Sequence, residues 1–404
     1  MSEYKGIEYL RAKLAVKRPR VLARYEYYDM KQHVPDFNIS TPPHLRGMMS
    51  TLGWCGKAVD SIADRLIFAE FADDNFGMNE VFRMNNPDIL ASSAILSALK
   101  SSCSFIYIYP DNSGFPKLEV IDGANATGNL DESTGLLKEG YAVLERDDNK
   151  NPVREAYFIP GITDYYEDGK AVRRYRHAAE YPLLVPIINR PDAQRPFGRS
   201  RISRACMSLM GSAIRTVKRS EITAEFYSFP QKWVTGLEQG AEMMEKWKAS
   251  MSSILQFTKD DDGDRPTVGQ FTQAAMTPHL EQLRMFASMF GGETGLTLDD
   301  LGFPSQNPSS ADAIKASHET LRLTSRKAQR EFGTGLLNTG YLAACIRDEY
   351  PYKRRQIYLT TPKWRPIFEP DMAQLSGIGD AVLKIQQAFP DYFTPEKLEA
   401  LTGI

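Results

Sequence analysis

A helical pattern that continues for about 30 residues, from 199 to 228, is the strongest constraint on how this chain can fold. Apolar side chains recur every three or four residues, as on one face of a helix; they include Ile202, Cys206, Leu209, Ala213 and Val217. At 1.5 Å per residue, such a helix would be about 45 Å long. A helix of that length needs partners that cover its apolar face, which favours an elongated subunit.

The residues after Pro230 predict a small module and then a second long helix. Within 229–275, the pattern indicates a strand at 232–235, a helix at 239–252 and a strand at 254–257, and therefore a β-α-β module. Residues 276–292 have helical spacing again. The side chains predicted to pack the two long helices together are Leu209, Ala213, Val217, Leu283, Phe286 and Phe290. An isolated helix pair is expected to expose Met285, Phe286 and Phe290.

The first 198 residues predict a mixture of helices and strands. Helical patterns occupy parts of 1–35, 45–70 and 85–100. Short β-rich runs separated by turn residues follow at 104–109, 117–121, 140–145, 154–159 and 161–166. The predicted fold class is therefore α+β.

The C-terminal third begins with a segment that carries no charge: Gly302, Phe303, Pro304, Ser305, Gln306, Asn307, Pro308 and Ser309. Ser309 or Ser310 can cap the helix that follows. That helix is predicted to run toward Tyr341, with kinks at Gly333 and Gly335. Two further helices are expected at 371–389 and 394–402.

Composition limits the function classes. The 404 residues include 49 Lys and Arg and 51 Asp and Glu, a net charge of −2, whereas a protein that coats DNA would be strongly basic. No apolar run approaches the roughly 20 residues that span a bilayer, and the first ten residues lack the apolar core of a signal peptide. The four cysteines form no CxxC pair. These features predict a soluble intracellular protein with no membrane partner.

No motif for catalysis or cofactor binding is found. Both Gly-Lys pairs, at Gly56 and Gly169, lack the upstream glycine of a P-loop. The aspartates of 260–264 could bind a divalent metal, form a solvated acidic loop, or repel phosphates if they line a passage for DNA. An EF-hand would need a glutamate where Phe271 stands. We therefore predict a protein that is not an enzyme and has no catalytic, cofactor or metal residues.

Basic residues cluster on two of the predicted helices. One set is Arg199, Arg201, Arg204, Arg215, Lys218 and Arg219, and the other is Lys315, Arg322, Arg326, Lys327 and Arg330. One interpretation is a solvated helix face whose charges pair with neighbours such as Glu319 and Glu331. The other is contact with phosphates or with a neighbouring subunit.

The order of these parts, together with four short motifs, resembles the portal proteins of long-tailed bacteriophages over essentially the whole chain. The motifs are Val59 to Leu66, Pro196 to Ile202, Phe229 to Gly236 and Asn307 to Ile314. The resemblance implies a wing (1–198), a first stem helix (199–228), a clip (229–275) and a second stem helix (276–292). A return to the wing (293–345, with a tunnel loop at about 300–310) and a compact crown (346–404) would follow.

The resemblance also implies a ring, usually a dodecamer, at one capsid vertex of the virion, assembled in the bacterial cytoplasm. Double-stranded DNA would pass through it during packaging and ejection. The clip residues expected to contact the terminase large subunit and then the head–tail adaptor are Lys232, Trp233, Glu242, Lys246, Asp260, Asp261 and Asp262. Major capsid and scaffold proteins are further implied partners.

The tunnel loop residues expected to reach the channel are Gly302 to Ser309. Two alternatives stay open. One is another head or adaptor protein of a phage. The other is a metal-dependent hydrolase or nuclease that uses Asp260, Asp262 and Asp264.

Overall fold

The computed structural model describes residues 4–35, 45–131, 133–228, 232–235, 267–270, 275–304, 311–368 and 372–390, with 272, 392–395 and 397–398. The helices of this part are α1 (Ile7–Tyr28), α2 (Trp54–Ala63), α3 (Met78–Arg83), α4 (Pro87–Ser101), α5 (Arg204–Ser228), α6 (Thr277–Thr294), α7 (Ala311–Ser317), α8 (Glu319–Arg347) and α9 (Met372–Ala388). The strands are β1 (Phe68–Ala72), β2 (Cys103–Pro110), β3 (Pro116–Ile121), β4 (Ala126–Leu130), β5 (Leu137–Arg146), β6 (Pro152–Ile159), β7 (Ile162–Glu167), β8 (Lys170–Arg176), β9 (Leu184–Ile188), β10 (Lys232–Thr235), β11 (Thr267–Gln270) and β12 (Thr361–Trp364). This mixture confirms the predicted α+β class.

The chain divides into two units. The first consists of Met1–Gln32, Gly53–Met207 and Thr294–Ile404, and the second of His33–Leu52 and Ser208–Glu293. The first unit contains all the sheets except the β10–β11 pair. The second contains most of α5 and α6.

The core of the first unit lies around a three-stranded sheet of order β3-β2-β9. Nearly every residue of β2 is buried, which suits its continuous apolar sequence. On one face, Ser104 donates a hydrogen bond to the Ala94 carbonyl of α4, and Ile187 lies against α8. On the other face, Tyr107 contacts Phe158 of a second sheet, with ring centroids 5.5 Å apart.

That second sheet is an antiparallel meander of order β4-β5-β6-β7-β8. Its turn-rich, alternating sequence predicted three of the strands, and the structure adds β4 and β8. Helix α1 packs on one side, where Leu10 and Leu14 join Tyr141 and Val143 in one apolar cluster. Arg11 also forms an ion pair of 2.6 Å with the buried Glu155.

Two predicted helices are shorter than expected. Within 45–70, α2 covers only Trp54–Ala63, and the next apolar residues form β1, which pairs with β12. The helix predicted from residue 199 begins at Arg204, because Ser203 accepts a hydrogen bond from the Cys206 backbone at 3.1 Å and so caps it.

The helix predicted after residue 309 is interrupted at a different place. It is divided at His318 into α7 and α8, and α8 continues through Gly333 and Gly335, the expected kinks. The two glycines instead permit close packing. A Cβ atom at Gly335 would lie 2.6 Å from Ile187 Cδ1, and one at Gly333 would lie 2.7 Å from Pro362 Cγ.

Candidate functional site

The two long helices of the second unit lie side by side and run in opposite directions. Thr216 of α5 donates a hydrogen bond of 3.2 Å to the Gln282 side chain of α6. Seven residues further along α5 and three residues back along α6, Thr223 Oγ1 lies 3.1 Å from His279 Nε2. Because the residue numbers rise on one helix as they fall on the other, the pair is antiparallel.

The residues predicted to pack this helix pair are covered to different degrees. Ala213 and Phe290 are fully buried, while Leu209, Val217, Leu283 and Phe286 are half-buried. The expectation that Phe290 is exposed is wrong. Phe290 follows Leu283 and Ala287 at helical spacing, which places all three on the covered face of α6.

Two large apolar side chains that share one face of α6 remain exposed, and we call Met285 and Met289 the apolar stripe. Their exposed fractions are 46% and 52%. The two residues are four positions apart and therefore adjacent on the helix surface. Leu280 is also exposed, at 59%, but it lies on a different face of the helix. An adjacent pair of this kind is suited to a contact with another protein.

The two strands described within the predicted clip, β10 and β11, pair in antiparallel fashion. Lys232 lies opposite Gln270, and Trp233 lies opposite Gly269. The Trp233 indole covers Gly269 so closely that a Cβ atom there would overlap the ring. Glu242, Lys246, Asp260, Asp261 and Asp262 lie outside the described residues, as do the predicted helix at 239–252 and the strand at 254–257.

The predicted channel segment is described only at its start. A backbone hydrogen bond of 3.0 Å from Phe303 to Leu298 closes a turn, in which Gly302 has a φ of +92° that favours glycine. Pro304 follows it. The remaining predicted residues, Ser305, Gln306, Asn307, Pro308 and Ser309, lie outside the described part.

Residues on either side of that segment are joined by an ion pair. His318 Nε2 lies 3.3 Å from Asp300 Oδ2, and Thr297 donates to the same oxygen from its backbone and hydroxyl, at 3.0 and 2.9 Å. Burial alone would raise the pKa of Asp300, but the Thr297 hydrogen bonds and the His318 charge lower it. Sequence reasoning missed this pair, since nothing in the pattern links residues 18 positions apart.

The basic residues before α5 have structural partners. Arg201 is buried, and its guanidinium donates to the carbonyl oxygens of Ala58, at 3.1 Å, and Thr294. Arg199 is exposed and pairs with Asp192 at 2.6 Å. Neither lies on the helix, contrary to the prediction.

On α8 the pairing expected for a solvated helix face is confirmed at two residues. Arg322 pairs with Glu319 at 2.6 Å and Lys327 with Glu331 at 3.6 Å. These two cations are therefore engaged within their own helix.

His177 is a half-buried histidine whose two ring nitrogens are themselves buried and have no hydrogen-bond partner in the described part of the chain. Its ring stacks on Tyr175, with centroids 5.9 Å apart. Loss of hydration on burial lowers the pKa of His177 to about 4. The folded state therefore holds this imidazole in its neutral form at neutral pH.

Acid is expected to destabilise the fold through His177. Between pH 6.5 and 4 the unfolded chain binds a proton there that the folded chain does not, so the free energy of unfolding falls as the pH falls. Denaturant unfolding at a series of pH values should show this decline, and His177→Leu should flatten it. The exposed His33 supplies a control, because His33→Gln should leave the decline intact; an unchanged slope in His177→Leu would contradict the assignment.

Within the described residues, no three His, Cys, Asp or Glu side chains are grouped so that they could hold a metal ion. In the same part of the chain, no helix combines the length and apolar character needed to cross a membrane. The Asp260–Asp264 run lies outside these residues.

Comparison with known proteins gives one consistent relationship. No protein-family model matches the chain. Portal proteins of Mycobacterium phage L5 and Mycobacterium phage D29 are each 24% identical over 323 residues. Each match covers 73% of this chain but only 65% of the relative's length.

Two solved structures are also similar, both from a gene transfer agent (GTA). One is the virion of the native particle, with 12% identity, and the other is its neck, computed with C12 symmetry, with 14%. In each, the TM-score is 0.48 and the match covers 87% of this chain and 89% of the other. The sequence matches to the two phage proteins confirm the resemblance drawn from the order of motifs: the chain is similar to bacteriophage portal proteins.

Proposed function

We propose that this chain is a portal subunit, which forms a ring at one capsid vertex for the packaging and ejection of double-stranded DNA. The observation that carries the proposal is the sequence relationship to two phage portal proteins. The antiparallel pair of long helices, with its exposed apolar stripe, supports assembly into a ring. The subunit would be structural rather than enzymatic, and its place would be in the virion.

Ring formation would cover the apolar stripe. Met285 and Met289 are already about half covered, so covering the rest of either side chain contributes about half of the ~1.5–3 kcal/mol of full burial. A head-to-tail contact, in which the stripe of one copy packs on a different surface of the next, produces a closed ring if the rotation between copies closes. We propose that the ring is a dodecamer.

DNA passage needs a lining that does not hold phosphates. The segment from Gly302 to Ser309 carries no charge, and the whole chain has a net charge of −2. Such a segment can contact DNA sterically without the strong salt-dependent attraction that basic side chains produce. ATP hydrolysis would be performed by the terminase, since the chain has no P-loop.

The clip would contact the terminase large subunit and later the head–tail adaptor. Trp233 is the described residue best suited to this role, because it is about a third exposed (36%) on the β10–β11 strand pair and large aromatic side chains dominate many protein contacts. Lys232, Glu242, Lys246, Asp260, Asp261 and Asp262 complete the proposed contact. Major capsid and scaffold proteins would surround the ring during assembly.

Negative-stain electron microscopy of the purified chain tests the proposal. We expect rings whose central hole admits a DNA duplex. A persistent monomer at high protein concentration would contradict a portal. Metal-dependent cleavage of DNA that disappears when Asp260, Asp262 and Asp264 are replaced by asparagine would instead support a nuclease.

A further inference from the structure

The five-stranded sheet ends on one side in an open edge. Its last strand, β8, pairs with β7 and with no other strand in the described part of the chain. All residues of β8 except Tyr175 are exposed. One side of its backbone therefore presents N–H and C=O groups that a further strand could bind.

The opposite edge of the same sheet is covered. Lys13 of α1 donates a hydrogen bond of 2.6 Å to the Gly128 carbonyl of β4. Lys17 donates one of 3.2 Å to the Ala126 carbonyl. A further strand can consequently be added to this sheet at β8 but not at β4.

The charge of β8 selects among the strands that could be added. The strand contains Lys170, Arg173, Arg174 and Arg176 and no acidic residue. Only Arg174 forms an ion pair within the described residues, with Asp164 at 2.6 Å. A second copy of β8 would bring like charges face to face, which destabilises a strand pair. An acidic strand would be attracted.

A cleft of about 420 Å³ lies beside this edge, between β7 and β8 on one wall and β2 and β3 on the other. Its lining is rich in tyrosine, and the Tyr107 and Tyr165 hydroxyls are joined across it by a hydrogen bond of 2.7 Å. Arg173 lies over the Tyr165 ring at 5.9 Å. Val172, half exposed at the rim, adds apolar surface. Amphipathic rings of this kind accept both apolar and polar side chains.

We propose that β8 and the adjoining cleft bind an extended, acidic segment of a partner protein, which adds a sixth strand to the sheet. Backbone hydrogen bonds would supply affinity, and alternate side chains seated in the tyrosine cleft would supply specificity. The acidic side chains of the segment would lie on the other face of the sheet, near Arg174 and Arg176, which alternate with the cleft residues Arg173 and Tyr175 along β8. Nucleic acid fits less well, because phosphates in the cleft would meet the exposed Glu119 and Glu167, whereas the peptide would fill the cleft with its uncharged side chains.

Fluorescence anisotropy with the full chain tests the proposal. The probe is a fluorescein-labelled ten-residue peptide in which glutamate alternates with valine and tyrosine. We expect saturable binding that the change Arg176→Glu weakens at least tenfold, because Arg176 lies on the face of β8 turned toward the glutamates of the peptide. Lys57→Glu is the matched control, because Lys57 is an exposed cation on α2, and it should leave the affinity unchanged. Thermal unfolding confirms that each variant is folded.

The backbone pairing is tested with two N-methylated versions of the same peptide. In one version the methyl groups block every second amide, along one edge of the extended peptide, and in the other version they block the remaining amides, along the opposite edge. One of the two methylated peptides should lose at least tenfold in affinity, because it cannot donate to the β8 carbonyls. Equal affinity of both methylated peptides, equal binding to the charge-reversed variant, or no saturable binding would each overturn the proposal. So would displacement of the peptide by a 30-base-pair DNA duplex that binds more tightly. None of these results depends on whether the chain forms rings.

Discussion

Changing Met285 and Met289 together to lysine is expected to convert rings into monomers at concentrations where the unaltered protein is assembled. Both side chains belong to the apolar stripe and are about half exposed in the subunit. Losing the remaining burial of two half-covered side chains, about 0.8–1.5 kcal/mol each, raises the concentration needed for assembly by about 10- to 100-fold, since each 1.4 kcal/mol is about a factor of ten. Burial of the new charges would increase this effect. Sedimentation velocity measures the distribution of oligomers.

The matched control is Met49→Lys, because Met49 is more exposed than either residue, at 81%, and lies outside α6. It should assemble normally. Circular dichroism should show the same helix content in both variants, because the exchanged side chains are on the exposed face of α6. Normal rings from the double variant would show that the stripe is not a subunit contact.

Replacing Arg201 by methionine is expected to lower the free energy of unfolding by about 2–5 kcal/mol. Arg201 donates hydrogen bonds to carbonyl oxygens of Ala58 and Thr294, two residues that are themselves buried. Methionine fills a similar volume but donates to neither carbonyl, and a hydrogen bond from a charged group contributes about 1.5–3 kcal/mol. The Ala58 carbonyl keeps a hydrogen bond of 3.2 Å from the Ser61 hydroxyl, so the Thr294 contact supplies the larger part of the loss. Urea denaturation measures the change.

Arg199→Met provides the comparison two residues away. Its guanidinium pairs with Asp192, but both side chains are more than a third exposed, at 47% and 38%. Exposed ion pairs contribute at most about 1 kcal/mol. If the two methionine variants were equally destabilised, the carbonyl contacts of Arg201 would not be the cause.

Local sequence patterns predicted the elements whose partners are close in the chain. The meander strands β5, β6 and β7 alternate apolar and polar residues between short turns, so both strand and partner could be predicted. β1 could not be predicted in this way. It pairs with β12, nearly 300 residues later, and that contact, rather than local preference, makes Phe68–Ala72 a strand.

The roles of individual side chains could likewise be predicted where they depend on local spacing, but not where they depend on contacts between distant parts of the chain. Helical spacing identified Ala213 and Phe290 as packing residues, but it could not separate the covered Phe290 from the exposed Met289 beside it. The structural role of Arg201 was not predicted, because the sequence pattern placed the start of the helix at residue 199 and the observed helix begins at Arg204. Ser203 was the available signal, since a serine at this position caps a helix and places Arg201 before its first turn.

Gly333 and Gly335 have a mechanical consequence. A rotation of α8 about its axis, or a shift of one residue along it, would bring neighbouring side chains to the positions where only a hydrogen atom fits against Pro362 and Ile187. Both movements are therefore blocked while β9 and β12 stay in place. We therefore expect bending of this long segment to occur at His318, where α7 and α8 are not continuous.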